Sequence, residues 1–463
     1  MQVETIETPS LGDRSYLVHD GVVALVVDPQ RDTDRVTAAA ARLGVRIAAV
    51  AETHLHNDYV TGGVHLAQEL GVDYLVNAAD TVDFTRRPVA DGEVVEVGRL
   101  RVRVVATPGH THTHLSYVVT DTGGPGDSAG PGEAVFSGGS LLFGSVGRTD
   151  LVSPADTDGL THDQFHSVRA LVSVATDEAA LFPTHGFGSF CSSGPATGAD
   201  SSTVGEQRRS NHALTTTDED RFVAELIAGL AAYPTYYVHM GPANAHGPSA
   251  PDLAVPAPLS ADELRDRLAG GGWVVDLRTR RAFADGHLAG TLSFEPGASF
   301  VTYLGWTVPW GEPLTLLGSE DDVATAVREL ARIGWDHPDA VLGDPLQALP
   351  GHPVHSYRRA GWSEVLTEEP ALVLDVRRTD EYAAGHLPGA LNIPLHELLS
   401  RTEEVPDGQV WVHCGSGYRA GVAASVLDRA GRDAVHVDAA FDEAVGAGLT
   451  VTTDARGRPG TVV

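Results

Sequence analysis

The sequence predicts a multidomain α/β protein, and three observations lead to this prediction. The chain has 463 residues, and at roughly 150 residues per domain this length gives two to four domains. Apolar strand-like runs alternate with helix-like segments from the N-terminus onward, as layered α/β folds require. A proline-rich stretch at 247–258 separates this region from two copies of a second sequence pattern. We therefore expect layered α/β domains on both sides of a linker.

The chain is strongly acidic, with 62 Asp and Glu against 32 Arg, no Lys and a formal net charge of −30. Binding to phosphates needs clustered cationic side chains, so nucleic acid and anionic membranes are not expected partners. The N-terminus lacks the basic and apolar regions of a signal peptide, and no apolar run reaches the ~18 residues that span a bilayer. A cytoplasmic protein is expected. Only two cysteines, Cys191 and Cys414, are present, which excludes a disulfide framework.

Strand and helix signals alternate in the N-terminal region. Residues 15–18 and 22–27 flank an Asp-Gly dipeptide, which is typical of the tight turns in β-hairpins. Gly44 and Gly71 follow helix-like segments and favour left-handed helix ends. The elements predicted after the hairpin are a helix at 36–43, a strand at 45–50, a helix at 64–70, and strands at 72–76 and 102–106.

The loop after the third predicted strand carries His54, His56 and Asp58 at alternating positions. Two imidazoles and a carboxylate at the end of a buried strand form a metal-binding pattern. A second segment, Thr-Pro-Gly-His, ends the last of the predicted strands, and its turn presents His110 at the strand end. We predict that His110 is a metal ligand. Two nearby histidines are predicted to lie on the loop surface: His112 and His114.

The His-x-His-x-Asp motif resembles that of the metallo-β-lactamase superfamily, which implies an αββα sandwich of two mixed sheets whose loops converge on one or two metals. Further segments resemble the persulfide dioxygenases of this superfamily and their hydrolytic relative, glyoxalase II. These segments lie at 135–142, 147–150, 182–186, 205–211 and 236–237. The resemblance covers roughly residues 1–246. Two positions depart from the family pattern, because Tyr59 stands in place of a further His and Gly139 in place of an Asp.

The resemblance implies an iron site made of His54, His110 and the Asp that Gly139 replaces. The two-His-one-carboxylate triad of non-haem iron oxygenases is therefore incomplete. His56 offers a substitute, since three His with an open position are typical of catalytic zinc. We expect at most one tightly bound metal ion, Fe(II) in preference to Zn(II), held by His54, His56 and His110. Two further residues are predicted to be outer or weak ligands: Asp58 and His185.

Cys191 follows the His185-Gly186 turn closely, so it is expected near the metal. A thiol in that place could accept or relay sulfur. The alternative, given equal weight, is that Cys191 is a small buried side chain with a structural role only.

Beyond the linker at 247–258, the Asp-x-Arg and Gly-His-Leu segments at 276–278 and 286–290 recur at 375–377 and 385–389 with the same spacing. This internal repeat predicts two homologous domains. The predicted limits are 259–350 for the first copy and 355–463 for the second. Each copy begins with a buried strand, at 273–277 and at 372–376.

The second copy carries a strand followed by a short glycine-containing loop from Cys414 to Arg419. Backbone N–H groups that converge on one sulfur before a helix N-terminus favour the thiolate and bind anions. The loop resembles that of rhodanese, a sulfurtransferase fold that carries sulfane sulfur as a Cys persulfide. Cys414 is the predicted nucleophile, and Arg419 is predicted to close the loop or contact the substrate oxyanion. The N–H groups expected to hold the sulfur belong to this segment: Gly415, Ser416, Gly417, Tyr418 and Arg419.

The first copy has no thiol at the equivalent loop, where Glu320, Asp321 and Asp322 would repel a sulfur anion. It is expected to be a structural or docking domain.

This domain order resembles fusions of a persulfide dioxygenase with a sulfurtransferase. The leading hypothesis is an enzyme of sulfide metabolism that oxidises a small-molecule thiol persulfide to sulfite and moves sulfane sulfur among thiols, sulfite and thiosulfate at Cys414. One rival is a glyoxalase II-like zinc thioester hydrolase with an attached rhodanese domain. Another is a degraded metal site that docks a thiol carrier. The sequence leaves open the identity of the thiol and the oligomeric state, with a homo-oligomer as one option.

Overall fold

The computed structural model describes residues 1–123, 132–194 and 197–453. The last ten residues of the predicted domain 355–463 lie outside this range. Contacts divide the chain into two compact units, of which the first comprises Met1–Asp252 with Leu330–Gly334. The boundary after Asp252 falls within the proline-rich stretch, and the three domain limits stay predictions. Among the described residues, no helix is both long enough and apolar enough to cross a membrane.

The first unit is built from twelve named strands and seven helices over the described residues. The strands are β1 Gln2–Thr8, β2 Asp13–His19, β3 Val23–Val27, β4 Arg46–Ala51, β5 Asp73–Asn77, β6 Arg87–Val89, β7 Val94–Val97, β8 Leu100–Ala106, β9 Leu115–Asp121, β10 Glu133–Gly138, β11 Ala180–Pro183 and β12 Ser202–Thr203. The helices are α1 Asp34–Leu43, α2 Gly63–Leu70, α3 Thr157–Ser173, α4 Val204–Ser210, α5 His212–Thr215, α6 Glu219–Ala228 and α7 Tyr237–His246.

These strands form two six-stranded mixed sheets, in the orders β1-β2-β3-β4-β5-β6 and β12-β11-β10-β9-β8-β7. Strands β1 to β3 are antiparallel and β3 to β6 are parallel. In the second sheet β7 to β10 are antiparallel, whereas β10 and β11 are parallel. The residues of the predicted site lie on the loops that follow strands β4, β8, β10 and β11.

A single apolar core lies between the two sheets, with Leu25 and Val27 from the first and Val102 and Phe136 from the second. Helices α1 and α2 cover the other face of the first sheet. Helices α3 and α6 cover the other face of the second sheet. The predicted αββα sandwich is therefore confirmed.

Local sequence signals explain several element boundaries. The predicted hairpin is confirmed as the antiparallel pair of β2 and β3, and Asp20 Oδ1 accepts the N–H groups of Val22 and Val23 at 2.8 and 2.9 Å in its turn. Helices α1 and α2 end at Gly44 and Gly71, whose φ angles of 69° and 65° lie in the left-handed region. Glycine adopts this conformation without the steric cost of a Cβ atom.

The remaining elements follow the proline-rich stretch. The strands are β13 Trp273–Asp276, β14 His287–Leu288, β15 Leu292–Ser293, β16 Leu314–Gly318, β17 Asp339–Leu342, β18 Val354–His355, β19 Arg358–Ala360, β20 Val373–Asp375, β21 Leu391–Asn392, β22 Val410–His413 and β23 Ala434–Val437. The helices are α8 Ala261–Ala269, α9 Arg280–Asp285, α10 Phe300–Thr307, α11 Glu320–Arg332, α12 Pro345–Ala348, α13 Trp362–Glu368, α14 Thr379–Ala384, α15 Leu395–Arg401, α16 Tyr418–Arg429 and α17 Glu443–Gly446, with a 3-10 turn at Thr402–Glu404.

Each repeat copy in the second unit has its own parallel sheet. The first copy has the order β15-β13-β16-β17 and the second has β19-β23-β22-β20-β21. All residues of the central strands β16 and β22 are buried, as expected for parallel strands covered on both faces. A short antiparallel pair, β14 with β18, lies beside the first copy.

Candidate metal and sulfur sites

The loop after β4 holds His54 through a chain of hydrogen bonds. The Thr53 hydroxyl donates to Asp28 Oδ2 at 2.7 Å, and the same hydroxyl oxygen lies 3.0 Å from His54 Nδ1. Because its only proton goes to Asp28, the hydroxyl must accept from His54 Nδ1–H. The Nε2 atom of His54 therefore keeps its lone pair, which is the form that binds a metal.

His110 is held in the same tautomer by a different partner. Its Nδ1 atom lies 2.6 Å from the carbonyl oxygen of Arg148, which can only accept. The Nε2 atom is buried and has no hydrogen-bond partner in the described part of the chain. Burial lowers the pKa of His110 to about 3. A neutral imidazole with an unpaired, buried Nε2 atom is poised to bind a cation.

His185 follows β11 and completes a three-histidine cluster. Its Nδ1 atom lies 2.8 Å from Asp13 Oδ1 and 3.2 Å from Asp58 Oδ2. Burial opposes the charged form, but Asp58 and Asp13 outweigh it and hold the pKa of His185 well above its usual range. Carboxylates that orient a histidine in this way are typical of metal ligands. One nitrogen from each of His54, His110 and His185 lies within 4.8 Å of the others.

His56 belongs to a different group of potential ligands from His54 and His110. Its Nε2 atom lies 3.1 Å from Glu52 Oε2 and 2.9 Å from the Tyr59 hydroxyl, and Tyr59 stacks on its ring. These contacts fix the ring so that His56 clusters with Asp58 and His185 instead of with the other two predicted ligands. The structure thus brings all five predicted residues together, and it places His185, not His56, in one group of potential ligands with His54 and His110. Which residues bind a metal stays a prediction.

The ring of His110 packs against Gly139, which stands where the family carries a carboxylate. A Cβ atom built on Gly139 would lie 2.2 Å from Cδ2 of His110. The N–H of Gly139 donates to Nε2 of His114 at 3.0 Å. His114 is fully buried, so its predicted surface position is wrong, whereas His112 is exposed as predicted. The reason is local, because Thr107 and the start of β9 enclose His114.

Cys191 is buried beside this cluster. Its N–H donates to the Ser189 hydroxyl at 3.2 Å, and that hydroxyl donates to Asp58 Oδ2 at 3.4 Å. Burial, together with Asp58 and Asp13, raises the pKa of Cys191 well above its usual range. The thiol is therefore held protonated, and its relay role stays a prediction.

The residues around the cluster fit a metal ion. At the cluster, four buried atoms have no hydrogen-bond partner within the described ranges: Oδ2 of Asp13, Nδ1 of His56, Oδ1 of Asp58 and Nε2 of His110. A buried polar atom without a partner costs free energy. A cation held by His54, His110 and His185 would satisfy the lone pair of His110 Nε2.

Cys414 follows β22 at the N-terminus of α16. Its buried Sγ atom accepts the N–H of Gly417 at 3.1 Å. Gly417 has a φ angle of 90°, and a Cβ atom there would lie 2.6 Å from Asp438 Oδ1. Only glycine therefore fits the turn that aims this N–H at the sulfur. Ser416 is exposed at the tip of the same loop.

Arg419 closes the loop by an ion pair that the sequence did not reveal. Its Nη1 and Nη2 atoms donate to Glu381 at 2.6 and 2.8 Å. Burial opposes the charged form, but Glu381 outweighs it and raises the pKa of Arg419. The guanidinium also lies 5.6 Å from the ring centre of Tyr303, which belongs to the Cys-free copy. The Tyr418 hydroxyl donates to the carbonyl of Glu295 in that copy at 3.3 Å.

Sequence reasoning missed Asp13, Glu381 and Tyr303. Each lies on an element far along the chain from the residue it contacts, so no spacing could have indicated it. The Cys-free copy is thus packed against the sulfur loop within the second unit.

Comparisons with other proteins agree with this architecture. Residues 361–445 match the rhodanese-like domain family. The chain is 35% identical over 132 residues to the hydroxyacylglutathione hydrolase of Acidiphilium cryptum, covering 28% of this chain and 52% of the relative. It is 26% identical over 249 residues to persulfide dioxygenase ETHE1, mitochondrial, of Homo sapiens, covering 53% of this chain and 80% of the relative. The chain thus spans about half the length of the first of these relatives.

Among solved structures, a metallo-β-lactamase from Staphylococcus aureus subsp. aureus COL matches with a TM-score of 0.65 at 25% identity. The match covers 74% of this chain and 99% of that one. The chain therefore carries a metallo-β-lactamase-like N-terminal region, related to persulfide dioxygenases and hydroxyacylglutathione hydrolases, and a rhodanese-like domain towards its C-terminus.

Proposed function

We propose that this chain is a metal-dependent enzyme of thiol-persulfide metabolism that also transfers sulfane sulfur at Cys414. The observation that carries the proposal is the contact of the Cys414 Sγ atom with the Gly417 N–H, in a loop closed by Arg419 and Glu381. Because the Cys414 loop is suited to sulfur chemistry, a sulfur compound is the best-supported substrate for the histidine cluster of the first unit. The overall oxidation converts a thiol persulfide, O₂ and water into the thiol, sulfite and two protons.

At the rhodanese site, the Cys414 thiolate attacks the outer sulfur of thiosulfate. A new S–S bond forms on Cys414 while the bond within thiosulfate breaks, and its electron pair leaves with sulfite. The Gly417 N–H stabilises the sulfur anion. The Arg419 guanidinium supplies positive charge beside the loop, and Glu381 keeps it oriented.

In the first unit, His54, His110 and His185 would hold the metal. When bound, Fe(II) supplies the O₂ chemistry that oxidises the persulfide sulfur. The protein orients its ligands through three acceptors, since Thr53, the Arg148 carbonyl and Asp13 each accept an Nδ1–H. The thiol of Cys191 lies beside Asp58 and can hold a proton there, because burial raises the pKa of Cys191. Asp58 stays a carboxylate, since burial opposes the charged form but His185 outweighs it and lowers the pKa of Asp58.

A zinc thioester hydrolase is the second candidate. It is favoured by Gly139, because a three-histidine set without a carboxylate is typical of catalytic zinc. The similarity to a hydroxyacylglutathione hydrolase supports the same alternative. A thiol-carrier docking role is the third, since Tyr59 and Gly139 both replace family ligands.

Metal analysis of the purified protein, combined with two assays, tests the proposal. We expect iron and persulfide-dependent oxygen uptake with glutathione persulfide as substrate. Bound zinc and hydrolysis of a glutathione thioester would support the hydrolase instead. If the protein showed neither oxygen uptake nor hydrolysis but kept sulfurtransfer, the docking role would be supported. The Cys414→Ser variant should lose thiosulfate:thiol sulfurtransfer while keeping the metal content of the wild type. Sulfurtransfer retained by Cys414→Ser would contradict the assignment of this site.

A further inference from the structure

We propose that His287, His355 and Asp428 form a binding site for a divalent cation, Zn²⁺, in the second unit. One ligand atom from each residue lies within 4.8 Å of the other two. Asp428 Oδ2 is 3.1 Å from His287 Nε2 and 3.0 Å from His355 Nδ1. None of these residues takes part in the proposed metal or sulfur chemistry, so this site is independent of it.

Backbone pairing brings the two histidines together. His287 in β14 lies directly opposite His355 in β18 in an antiparallel pair. Directly opposed residues project from the same face of a sheet. Asp428 reaches them from the last turn of α16, the helix whose first turn follows the Cys414 loop. The site therefore joins the β14–β18 pair to the helix of the sulfurtransferase copy.

The contacts of His287 with a carbonyl and a carboxylate point to a positive charge at this place. The ring is fully buried and stacks on Phe283 at 3.8 Å. Its Nδ1 atom lies 2.9 Å from the Phe283 carbonyl, which can only accept. The proton of a neutral ring is therefore on Nδ1, and the lone pair of Nε2 faces the carboxylate of Asp428. Two lone pairs at this separation repel unless a cation lies between them.

The internal repeat provides a comparison. His386 stands at the equivalent position of the second copy, stacks on Tyr382 at 3.9 Å and places its Nδ1 atom 2.9 Å from the Tyr382 carbonyl. Its Nε2 atom, however, lies 3.3 Å from the Thr452 hydroxyl, which can donate a proton to it. The ring is thus held identically in both copies. Only in the first copy, at His287, does the Nε2 atom face a carboxylate and a second imidazole.

The ligand set argues against Ca²⁺ and Mg²⁺, and its spacing fits zinc. Two imidazoles with one carboxylate form a common catalytic or solvent-open zinc set, whereas Ca²⁺ and Mg²⁺ prefer oxygen alone. Ligands about 2.0–2.1 Å from a tetrahedral ion lie about 3.3–3.4 Å apart. The distances from His355 Nδ1 to the two Asp428 oxygens are 3.0 and 3.3 Å, close to this value. The His355 side chain is 46% exposed, which leaves access for a water as the fourth ligand.

The site is tested by zinc binding to the full-length, metal-free protein. Wild type, His355→Gln and Asp428→Asn are dialysed against Zn²⁺ alone, and bound zinc per chain is measured together with the thermal unfolding midpoint. We expect both variants to bind about one zinc fewer than wild type and to lose part of its zinc-dependent stabilisation. The His110→Ala variant, altered in the first unit, should retain this ion.

The matched control is His212→Gln. His212 forms an ion pair with Glu225 at 2.8 Å and has no third ligand in any cluster of the described chain, so its zinc content should equal that of wild type. Because His355 is exposed, its replacement should leave the fold intact by circular dichroism. Equal zinc binding by wild type and His355→Gln would overturn the proposal and show that a proton on a histidine supplies the charge.

Discussion

The Nε2 atoms of His54 and His185 lie 3.5 Å apart in the buried cluster of the first unit. Burial and the neighbouring imidazoles hold the pKa of His54 well below its usual range. His54 is therefore neutral, and without a metal the proton between the rings belongs to His185. A metal ion that replaces this proton would be bound by both rings. We therefore propose His185 as a ligand of the same ion as His54.

The ligand assignment predicts different outcomes for two histidine variants. His185→Ala should lose most of the bound metal, since it removes a member of the trio. His56→Gln should retain more than half of it, because a Gln can still donate to Glu52. Metal per chain, measured by elemental analysis, separates these outcomes. If His56→Gln lost its metal and His185→Ala kept it, the trio of His54, His56 and His110 would be correct instead.

The ion pair between Glu381 and Arg419 is predicted to position the guanidinium for sulfurtransfer. In Glu381→Ala, kcat/KM for thiosulfate should fall on the order of tenfold, since an oriented, charge-assisted contact is lost. Glu381→Gln should recover part of this loss because it can still accept one hydrogen bond. Glu404→Ala, which removes a surface partner of Arg401, is the control and should leave sulfurtransfer unchanged. An unaltered rate in Glu381→Ala would contradict the positioning role.

His413 predicts how stability depends on pH. Burial lowers its pKa from the ordinary 6.5 to about 4. Between these values the unfolded chain binds a proton that the folded chain does not, so stability is complete above pH 6.5 and falls as the pH drops toward 4. The loss from this residue is about 3 kcal/mol over the window. His436 is buried with a pKa lowered to about 4 and should add to the effect.

Urea unfolding at pH 7.5 and pH 5 measures this effect. Neither ring nitrogen of His413 has a hydrogen-bond partner in the described chain, so an apolar side chain of similar size should be tolerated. His413→Leu should therefore show a smaller difference in the free energy of unfolding between the two pH values. An unchanged difference would show that other groups cause the pH dependence.

The two thiols are predicted to differ in reactivity. Cys191 is held protonated by burial and by the nearby carboxylates, and a protonated thiol is a poor nucleophile. After exposure to a small-molecule persulfide, mass spectrometry should find modification at Cys414 and none at Cys191. Modification of Cys191 at a comparable rate would support the sulfur relay that its position beside Asp58 suggests.

The sequence predicted the features that depend on residues close together in the chain. Alternating apolar residues and glycine helix ends predicted the hairpin and the first two helices. Motif spacing together with the family resemblance predicted the five residues that the structure brings together. It did not show which three of them share one space, because that depends on how His56 is held by Glu52 and Tyr59. It also placed His114 on the surface, because the packing of Thr107 and the start of β9 around this ring cannot be seen in the spacing of the loop residues.

Gly139 predicts the outcome of restoring a side chain at the family's carboxylate position. The Cβ atom of any residue there would lie 2.2 Å from Cδ2 and 2.7 Å from Nε2 of His110. His110 cannot simply turn aside, because its Nδ1 atom is bound to the Arg148 carbonyl at 2.6 Å. Gly139→Ala should therefore displace the ring and destabilise the first unit by about 1–3 kcal/mol, as overpacking does. Bound metal should fall with it.

Gly139→Asp tests the same contact with the family's own side chain. It adds a carboxylate but displaces His110 in the same way, so its metal content should fall below that of wild type. Gly159→Ala is the matched control, since a Cβ atom there meets nothing within 4 Å in helix α3. It should bind metal as wild type does and unfold no more easily. If Gly139→Asp instead gained iron and oxygen uptake with glutathione persulfide, His110 would have room to move. The family triad of His54, His110 and a carboxylate would then be the active arrangement.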